Sequence, residues 1–157
     1  MMRLGILLIL AITAATPAAA EGDRLQGPAT VISGDTLVVQ GQRMHLFGID
    51  APDKGQPCQW PNKVIDCGNI SRTALLDLIA PVEIACRRRN TNADGTWIAT
   101  CKAEGFDVGS NMIYTGWAMT PPGDPAKYGK VQENAKTRKR GMWKGTFEMP
   151  WIWRKAQ

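Results

Sequence analysis

The feature that most constrains the fold is a series of short apolar and β-branched segments separated by tight turns near the start of the chain. These segments cover residues 29–32, 36–40 and 43–49, with the turn sequences SGD and QGQ between them. β-Branched segments bounded by Gly- and Asp-containing turns are typical of antiparallel strands. This part of the chain is therefore predicted to form a three-stranded β-meander.

Later segments carry both helical and extended patterns. Residues 69–81, NISRTALLDLIAP, have an apolar stripe at helical spacing, with Asn69 as the expected N-cap and Pro81 as the stop. The sequences VEIACRR and TWIATCK are predicted strands. Asp94-Gly95, between them, is a hairpin signal.

Two further helices are predicted toward the C-terminus. The first covers residues 107–116 and begins at the cap residue Asp107. The second covers residues 124–141, with Asp124 as its cap and Pro125 in its first turn, where proline is tolerated.

These five short strands and three short helices predict an α+β fold built on a small barrel. A five-stranded OB-fold barrel fits that count. Residues 52–69 are expected to form a loop, and the aromatic tail after residue 141 is expected to be irregular. A chain of 157 residues is long enough for one domain, which is predicted to span residues 21–157.

The first twenty residues are predicted to be a signal peptide rather than part of that domain. Arg3 precedes an apolar run at residues 4–12, and small residues lead to an expected cleavage site after Ala20. The apolar run is too short to span a bilayer. We therefore expect a secreted or periplasmic protein, monomeric and without membrane contact once the signal peptide is removed.

Four cysteines follow the predicted signal peptide, and an even number in an exported protein indicates two disulfides. Three pairings are possible. Cys58–Cys67 with Cys86–Cys101 is favoured, because the first bond closes a short loop and the second links two neighbouring predicted strands. The competing interpretation, a zinc site, lacks a C-x-x-C pair and has a single histidine, His45.

The stretch HLFGIDAPD, residues 45–53, places Asp50 and Asp53 on either side of Pro52. Close charges of one sign repel each other, so such a pair indicates a cation site or catalysis. The alternative is structural: Asp35 and Asp50 can be turn and cap residues whose oxygens satisfy nearby amides.

Four motifs, in order, carry a resemblance to a known family: VISGDTLVV, HLFGIDAPD, DGTWIATC and GMWKGTFEMPWIWR. Together they resemble the staphylococcal nuclease (thermonuclease) family over residues 29–154. The paired cysteines and the Trp-rich end are similar to its secreted proteobacterial branch. The resemblance implies an OB-fold nuclease with a calcium-dependent phosphodiesterase site. Asp35, Asp50 and the carbonyl of Ala51 would be the metal ligands of a weak, water-rich calcium site.

The catalytic positions depart from the family pattern. The family has arginine where this chain has His45 and Thr96. Where this chain has Asp53, the family has a glutamate that acts as general base or positions the attacking water. Arginine offers a permanently charged fork for phosphate, whereas histidine has at most two donors and threonine has no charge. Arg43 precedes His45 by two residues on the same strand face and is the candidate substitute.

The function implied is that of a thermonuclease-like protein with a degenerate phosphodiesterase site that binds a polyanion. The net charge of +5 is compatible with such a partner. The partner is either a nucleic acid or an acidic exopolysaccharide, the latter in succinoglycan-type biosynthesis. The alternative is an active calcium-dependent endonuclease with a rearranged site.

Two further basic clusters occur in the sequence. Arginines 87–89, on the strand before the hairpin, could lean inward as substitutes for the missing catalytic arginines, but are expected instead to be a solvated basic edge that protects a strand from pairing. The third predicted helix carries a second cluster, which is a solvated face or a track along a polyanion backbone: Lys127, Lys130, Lys136, Arg138, Lys139 and Arg140.

Overall fold

The computed structural model describes residues 21–123 and 127–157. The predicted signal peptide, and the predicted helix start at Asp124 and Pro125, lie outside these residues. The strands are β1 (Arg24–Gly27), β2 (Ala29–Val31), β3 (Thr36–Val39), β4 (Gln42–Leu46), β5 (Pro57–Trp60), β6 (Lys63–Asp66), β7 (Ile84–Thr91), β8 (Trp97–Ala103), β9 (Phe106–Asp107) and β10 (Thr146–Phe147). The α-helices are α1 (Cys67–Ile79), α2 (Val108–Tyr114), α3 (Gly129–Thr137) and α4 (Pro150–Lys155).

The large sheet has the strand order β1-β7-β8-β4-β3-β2, with β9 paired to β8. The predicted meander is confirmed, because β2, β3 and β4 pair antiparallel in sequence. A parallel pairing between β4 and β8 joins the meander to the β7–β8 hairpin, with His45 opposite Ile98. The result is a nearly closed, barrel-like sheet accompanied by helices, as the predicted α+β OB-fold requires.

The core fills the inside of this sheet and the faces of α1 and α2 that pack against it. Its fully buried side chains include Leu37, Met44, Leu75, Ile84, Met112 and Ile113. On β4, Met44 and Leu46 are buried. Since side chains alternate along a strand, Arg43 and His45 lie on the opposite, outward face.

Both favoured disulfides are present. Cys86 and Cys101 are directly opposite each other on β7 and β8, with their Cα atoms 4.0 Å apart. Cys58 on β5 is bonded to Cys67, the first residue of α1. No free cysteine occurs in the described part of the chain. The two bonds are consistent with an extracellular location.

Residues 52–69 are not a loop, contrary to the prediction. They contain the β5–β6 hairpin, whose strands pair antiparallel, and the start of α1. The helix N-cap is Asp66 rather than Asn69, and its carboxylate accepts a hydrogen bond from the Asn69 backbone N–H at 2.9 Å. The hairpin was missed because it is held by the Cys58–Cys67 bond and by packing against distant aromatic residues, not by strand propensity.

The C-terminal part also differs from the prediction. The helix α3 covers only Gly129–Thr137, and Gly141 begins a 3-10 helix that ends at Lys144. The tail is not irregular, because β10 pairs with β5 and α4 follows it. The predicted helix after Asp107 is confirmed: its carboxylate accepts a hydrogen bond from the Ser110 backbone N–H.

Across residues 21–123 and 127–157, every helix is too short or too polar to cross a bilayer.

Candidate active site

A pocket of about 700 Å³ lies outside β4, between the end of the meander and the C-terminal helix. Its lining includes the predicted site residues Asp35, Arg43, His45, Asp50 and Asp53. These residues come from the turn before β3, from β4 and from the segment that follows β4. The structure thus brings together five of the residues that the sequence singled out.

Asp35 lies at the inner end of this pocket and is 9 % exposed. Its Oδ1 accepts hydrogen bonds from the hydroxyls of Ser33 and Thr36 at 2.6 and 2.9 Å. Its Oδ2 accepts a hydrogen bond from the Ala51 backbone N–H at 2.9 Å. Both carboxylate oxygens are therefore engaged, and Asp35 ties the turn before β3 to the segment that carries Asp50.

Two glycines allow this segment to lie against α1. A Cβ atom on Gly68 would stand 1.8 Å from the Asp53 carbonyl oxygen, and one on Gly34 would stand 1.8 Å from the Ser71 hydroxyl. At Gly68 the clash is with backbone, so a side chain there would force the backbone to move, and at Gly34 the side chains of Ser71 and Ala51 would have to shift. The close packing of residues 51–53 on the start of α1 fixes the backbone positions from which the Asp50 and Asp53 side chains extend.

His45 is oriented by a hydrogen-bond relay that starts at Asp35. His45 Nδ1 is 2.7 Å from the Thr36 hydroxyl, and that hydroxyl donates its one proton to Asp35. The hydroxyl can then only accept from the ring, so we assign a proton to Nδ1. Nε2 is left as the nitrogen that can meet a ligand in the pocket.

The C-terminal helix α4 contributes a cation to this pocket that the sequence analysis missed. Arg154 Nη2 is 2.5 Å from Asp50 Oδ2, and Arg154 Nη1 is 2.9 Å from Asp53 Oδ2. One guanidinium therefore bridges both carboxylates of the HLFGIDAPD stretch. The Asp50 side chain is 12 % exposed and the Asp53 side chain is 39 % exposed.

The charges around Asp50 are not fully balanced by this contact. Burial raises the pKa of the Asp50 carboxyl, and the neighbouring charges of Asp35 and Asp53 raise it further. Arg154 lowers it, but the net shift is upward. Burial lowers the pKa of Arg154, yet the two carboxylates raise it by more. Asp50 is thus a poorly solvated carboxylate whose neutralisation depends on a single cation.

The residues present do not fit a calcium ion in this arrangement. Calcium takes six to eight oxygen ligands. Both oxygens of Asp35 are hydrogen-bonded, and Asp50 offers an oxygen to Arg154 rather than to a metal. Within the described ranges, no group of three or more acidic, histidine or cysteine side chains is placed to hold a metal. A guanidinium lies where the resemblance implies metal coordination.

Thr96 is not brought to the pocket. It lies where the β7–β8 hairpin enters β8 and is 4 % exposed. Its hydroxyl donates to Asp94 Oδ2 at 3.1 Å, and its backbone N–H donates to Asp94 Oδ1 at 3.0 Å. These hydrogen bonds lower the pKa of the Asp94 carboxyl. Thr96 therefore stabilises the turn of the β7–β8 hairpin.

The sequence contains a signal for the helix α4 but none for the contact that its Arg154 makes with Asp50. Pro150 begins the helix, and the basic residues Arg154 and Lys155 lie in its last turn, which is the usual placement of both residue types. The contact itself joins residues 104 positions apart. Only the folding of the tail over the barrel shows that Arg154 reaches Asp50.

Comparison with known proteins identifies the family. The model of the staphylococcal nuclease homologue family matches residues 43–145. The chain is also similar to the succinoglycan biosynthesis protein ExoI of Rhizobium meliloti (strain 1021), with 32 % identity over 145 residues, covering 89 % of this chain and 75 % of that protein. Asp35 and Arg154 both lie outside the matched range. The family is typically calcium-dependent. The chain belongs to the staphylococcal nuclease homologue family.

Proposed function

We propose that this protein is an exported family member that binds a polyanion and whose phosphodiesterase site is degenerate. The observation that carries the proposal is the bridge from Arg154 to Asp50 and Asp53. The acid that would bind the metal and the acid that would position the attacking water are held by the same guanidinium. Any calcium binding is weak, because the ion must first displace Arg154.

The replacement of the two arginines that would stabilise a phosphoryl transition state supports the same conclusion. His45 is a weak replacement for arginine, and the hydroxyl of Thr96 is engaged by Asp94. Losing one such cation costs a phosphoryl-transfer enzyme a factor on the order of a thousand or more. With both positions changed, little phosphodiesterase activity is expected.

The net charge of +5 supports a polyanionic partner, and the two comparisons suggest its chemistry. The family name suggests a nucleic acid, whereas the relative's printed name suggests a role in polysaccharide biosynthesis. We favour an acidic exopolysaccharide, with nucleic acid as the competing ligand.

A second candidate function is an active endonuclease with a rearranged site. It is favoured by the relay that orients His45 and by the presence of Arg43 and Arg154 in the same pocket. In that case Arg154 would leave the carboxylates for the phosphate when a metal binds.

One experiment separates the two candidates. The purified protein, with both disulfides formed, is mixed with single-stranded DNA in calcium and, separately, in a chelator. Equal and negligible cleavage in both conditions is the expected result for the degenerate site, whether or not the DNA binds. Calcium-dependent turnover at an ordinary enzymatic rate, roughly 1–1,000 per second, would instead establish the rearranged nuclease.

A further inference from the structure

A second groove, of about 530 Å³, lies on the outward face of β1, β7 and β8. Arg24 on β1 is paired with Arg87 on β7, and Arg87 is paired with Thr100 on β8. Four cations line this groove: Arg24, Arg87, Arg89 and Lys102. It shares no lining residue with the pocket that holds Asp50.

The cations of this groove lack acidic partners. No carboxylate lines the groove, and none of its four cations forms an ion pair with any residue that the structure describes. Of the nearby acids, Asp23 is paired with Arg88, and Glu83 accepts a long hydrogen bond from Gln26. Like charges directly opposite each other on paired strands are destabilising. The facing pair Arg24 and Arg87 therefore favours an anionic ligand.

Protection of a strand edge does not explain these arginines, contrary to the sequence-based expectation. β7 pairs with β1 on one side and with β8 on the other, so it is an interior strand. The Cys86–Cys101 bond joins β7 to β8 on the buried face, directly beneath the groove. The cations thus stand on a cross-linked surface whose strand spacing is fixed before any ligand binds.

The geometry points to the occupant, and we infer that this groove binds an extended acidic polysaccharide through its carboxylates. The inference rests on the proposed function, that the protein binds a polyanion. Arginine pairs with carboxylates in a bidentate manner, and Gln26 and Thr100 add hydrogen-bonding groups for sugar hydroxyls. Arg89 is already oriented by a hydrogen bond from its Nε to Thr100 Oγ1 at 3.1 Å.

The residues that line the groove also favour a polysaccharide over a single-stranded nucleic acid. Sites for single strands combine cations with aromatic side chains on which bases stack. No aromatic residue lines this groove. Neighbouring backbone positions in such a sheet are roughly 5 Å apart across the strands and roughly 7 Å apart along one strand face, the scale of one sugar ring. A chain with one carboxylate on successive sugars matches that spacing without any stacking.

The test compares two double variants with the same change in net charge. Arg87→Gln with Lys102→Gln removes two groove cations, whereas Lys130→Gln with Arg138→Gln removes two exposed cations from α3 and its C-cap. Binding to polygalacturonate, to the neutral polymer dextran and to oligo(dT) is measured by calorimetry at several salt concentrations. Thermal melts establish that each variant is folded, and Arg24→Gln with Arg89→Gln provides an independent groove variant.

The groove variants are expected to bind polygalacturonate about tenfold or more weakly. The slope of the logarithm of the binding constant against the logarithm of the salt concentration should fall in magnitude by about one to two. The α3 variant should bind nearly as the parent does, and dextran should not bind. If the α3 variant weakened polygalacturonate binding equally, or if neither groove variant weakened it, the groove would not be the binding site. If the parent bound oligo(dT) more tightly than polygalacturonate, and the groove variants lost that binding, the ligand would be a nucleic acid and not a polysaccharide. Failure of the parent to bind any polyanion would overturn the proposed function itself.

Discussion

Arg154 Nη2 lies 2.5 Å from Asp50 Oδ2, so the last helix of the chain neutralises the carboxylate that follows the meander. The same guanidinium reaches Asp53, which makes the contact a fork rather than a single ion pair. Hydrogen bonds between two ionised groups are shorter and stronger than those between neutral groups. In this protein the cation beside the two acids is supplied by the chain itself.

Replacing Arg154 with glutamine is expected to make the protein respond to calcium. The variant frees Asp50 and Asp53, so millimolar calcium should raise its melting temperature more than that of the parent. An ion at ten times its dissociation constant adds about 1.4 kcal/mol to the free energy of unfolding. Lys155→Gln, on the neighbouring exposed residue, is the control. A variant that responds no more than this control would show that Arg154 does not compete with metal.

Restoring the arginine at position 45 is expected to raise nuclease activity once Arg154 no longer holds the acids. His45→Arg, combined with Arg154→Gln, should increase calcium-dependent cleavage of DNA by about a thousandfold or more, because it supplies a cation for the transition state within the pocket. Rates are compared at equal concentrations of folded protein. Adding Asp50→Asn should return the rate to that of the parent. A parent that is already fast, with no gain in the variant, would contradict the degenerate site.

Asp107 is expected to stabilise the protein at neutral pH and to lose that effect in acid. Burial raises the pKa of its carboxyl, but hydrogen bonds from Lys127, the Ser110 backbone and Tyr128 lower it to below the ordinary value. The folded protein therefore binds this proton less readily than the unfolded chain, and stability falls as the pH drops through the pKa of the folded state.

Two variants separate the cap of α2 from the charge of Asp107. Asp107→Ala removes both and should lower the free energy of unfolding by about 1 kcal/mol, whereas Asp107→Asn keeps a capping oxygen and should lose less. Both should show a smaller loss of stability between about pH 5 and pH 2 than the parent. Urea unfolding at several pH values measures this slope. An unchanged acid slope in the asparagine variant would rule out the assigned role of the carboxylate.

The facing arginines of the groove are expected to cost stability when no ligand is bound. Arg87→Gln removes the like-charge contact with Arg24 and should raise the free energy of unfolding by about 0.2–1 kcal/mol at low salt. The gain should shrink as salt screens the charges. Chemical denaturation at two salt concentrations measures it. A loss of stability in this variant would mean that Arg87 is a structural residue rather than one held for a ligand.

The sequence by itself determined the elements whose signals are local. The turns at 33–35 and 40–42 fixed the meander, and with it the alternation that turns Arg43 and His45 outward. The Asp107 cap located α2, and the spacing of the cysteines favoured the pairing that is found. Each of these features depends on neighbouring residues or on a small set of combinations, so pattern and stereochemistry are sufficient.

Only the tertiary structure decided where the charges meet. The fork on Asp50 joins positions 50 and 154, and the groove cations come together because β7 lies between β1 and β8. The β5–β6 hairpin likewise depends on a disulfide and on its pairing with β10. Contacts over such distances arise from the packing of whole elements, and one chain contains no local signal for them. For that reason His45 and Thr96 could be recognised in the sequence as departures from the family, whereas Arg154 could be found only in the folded protein.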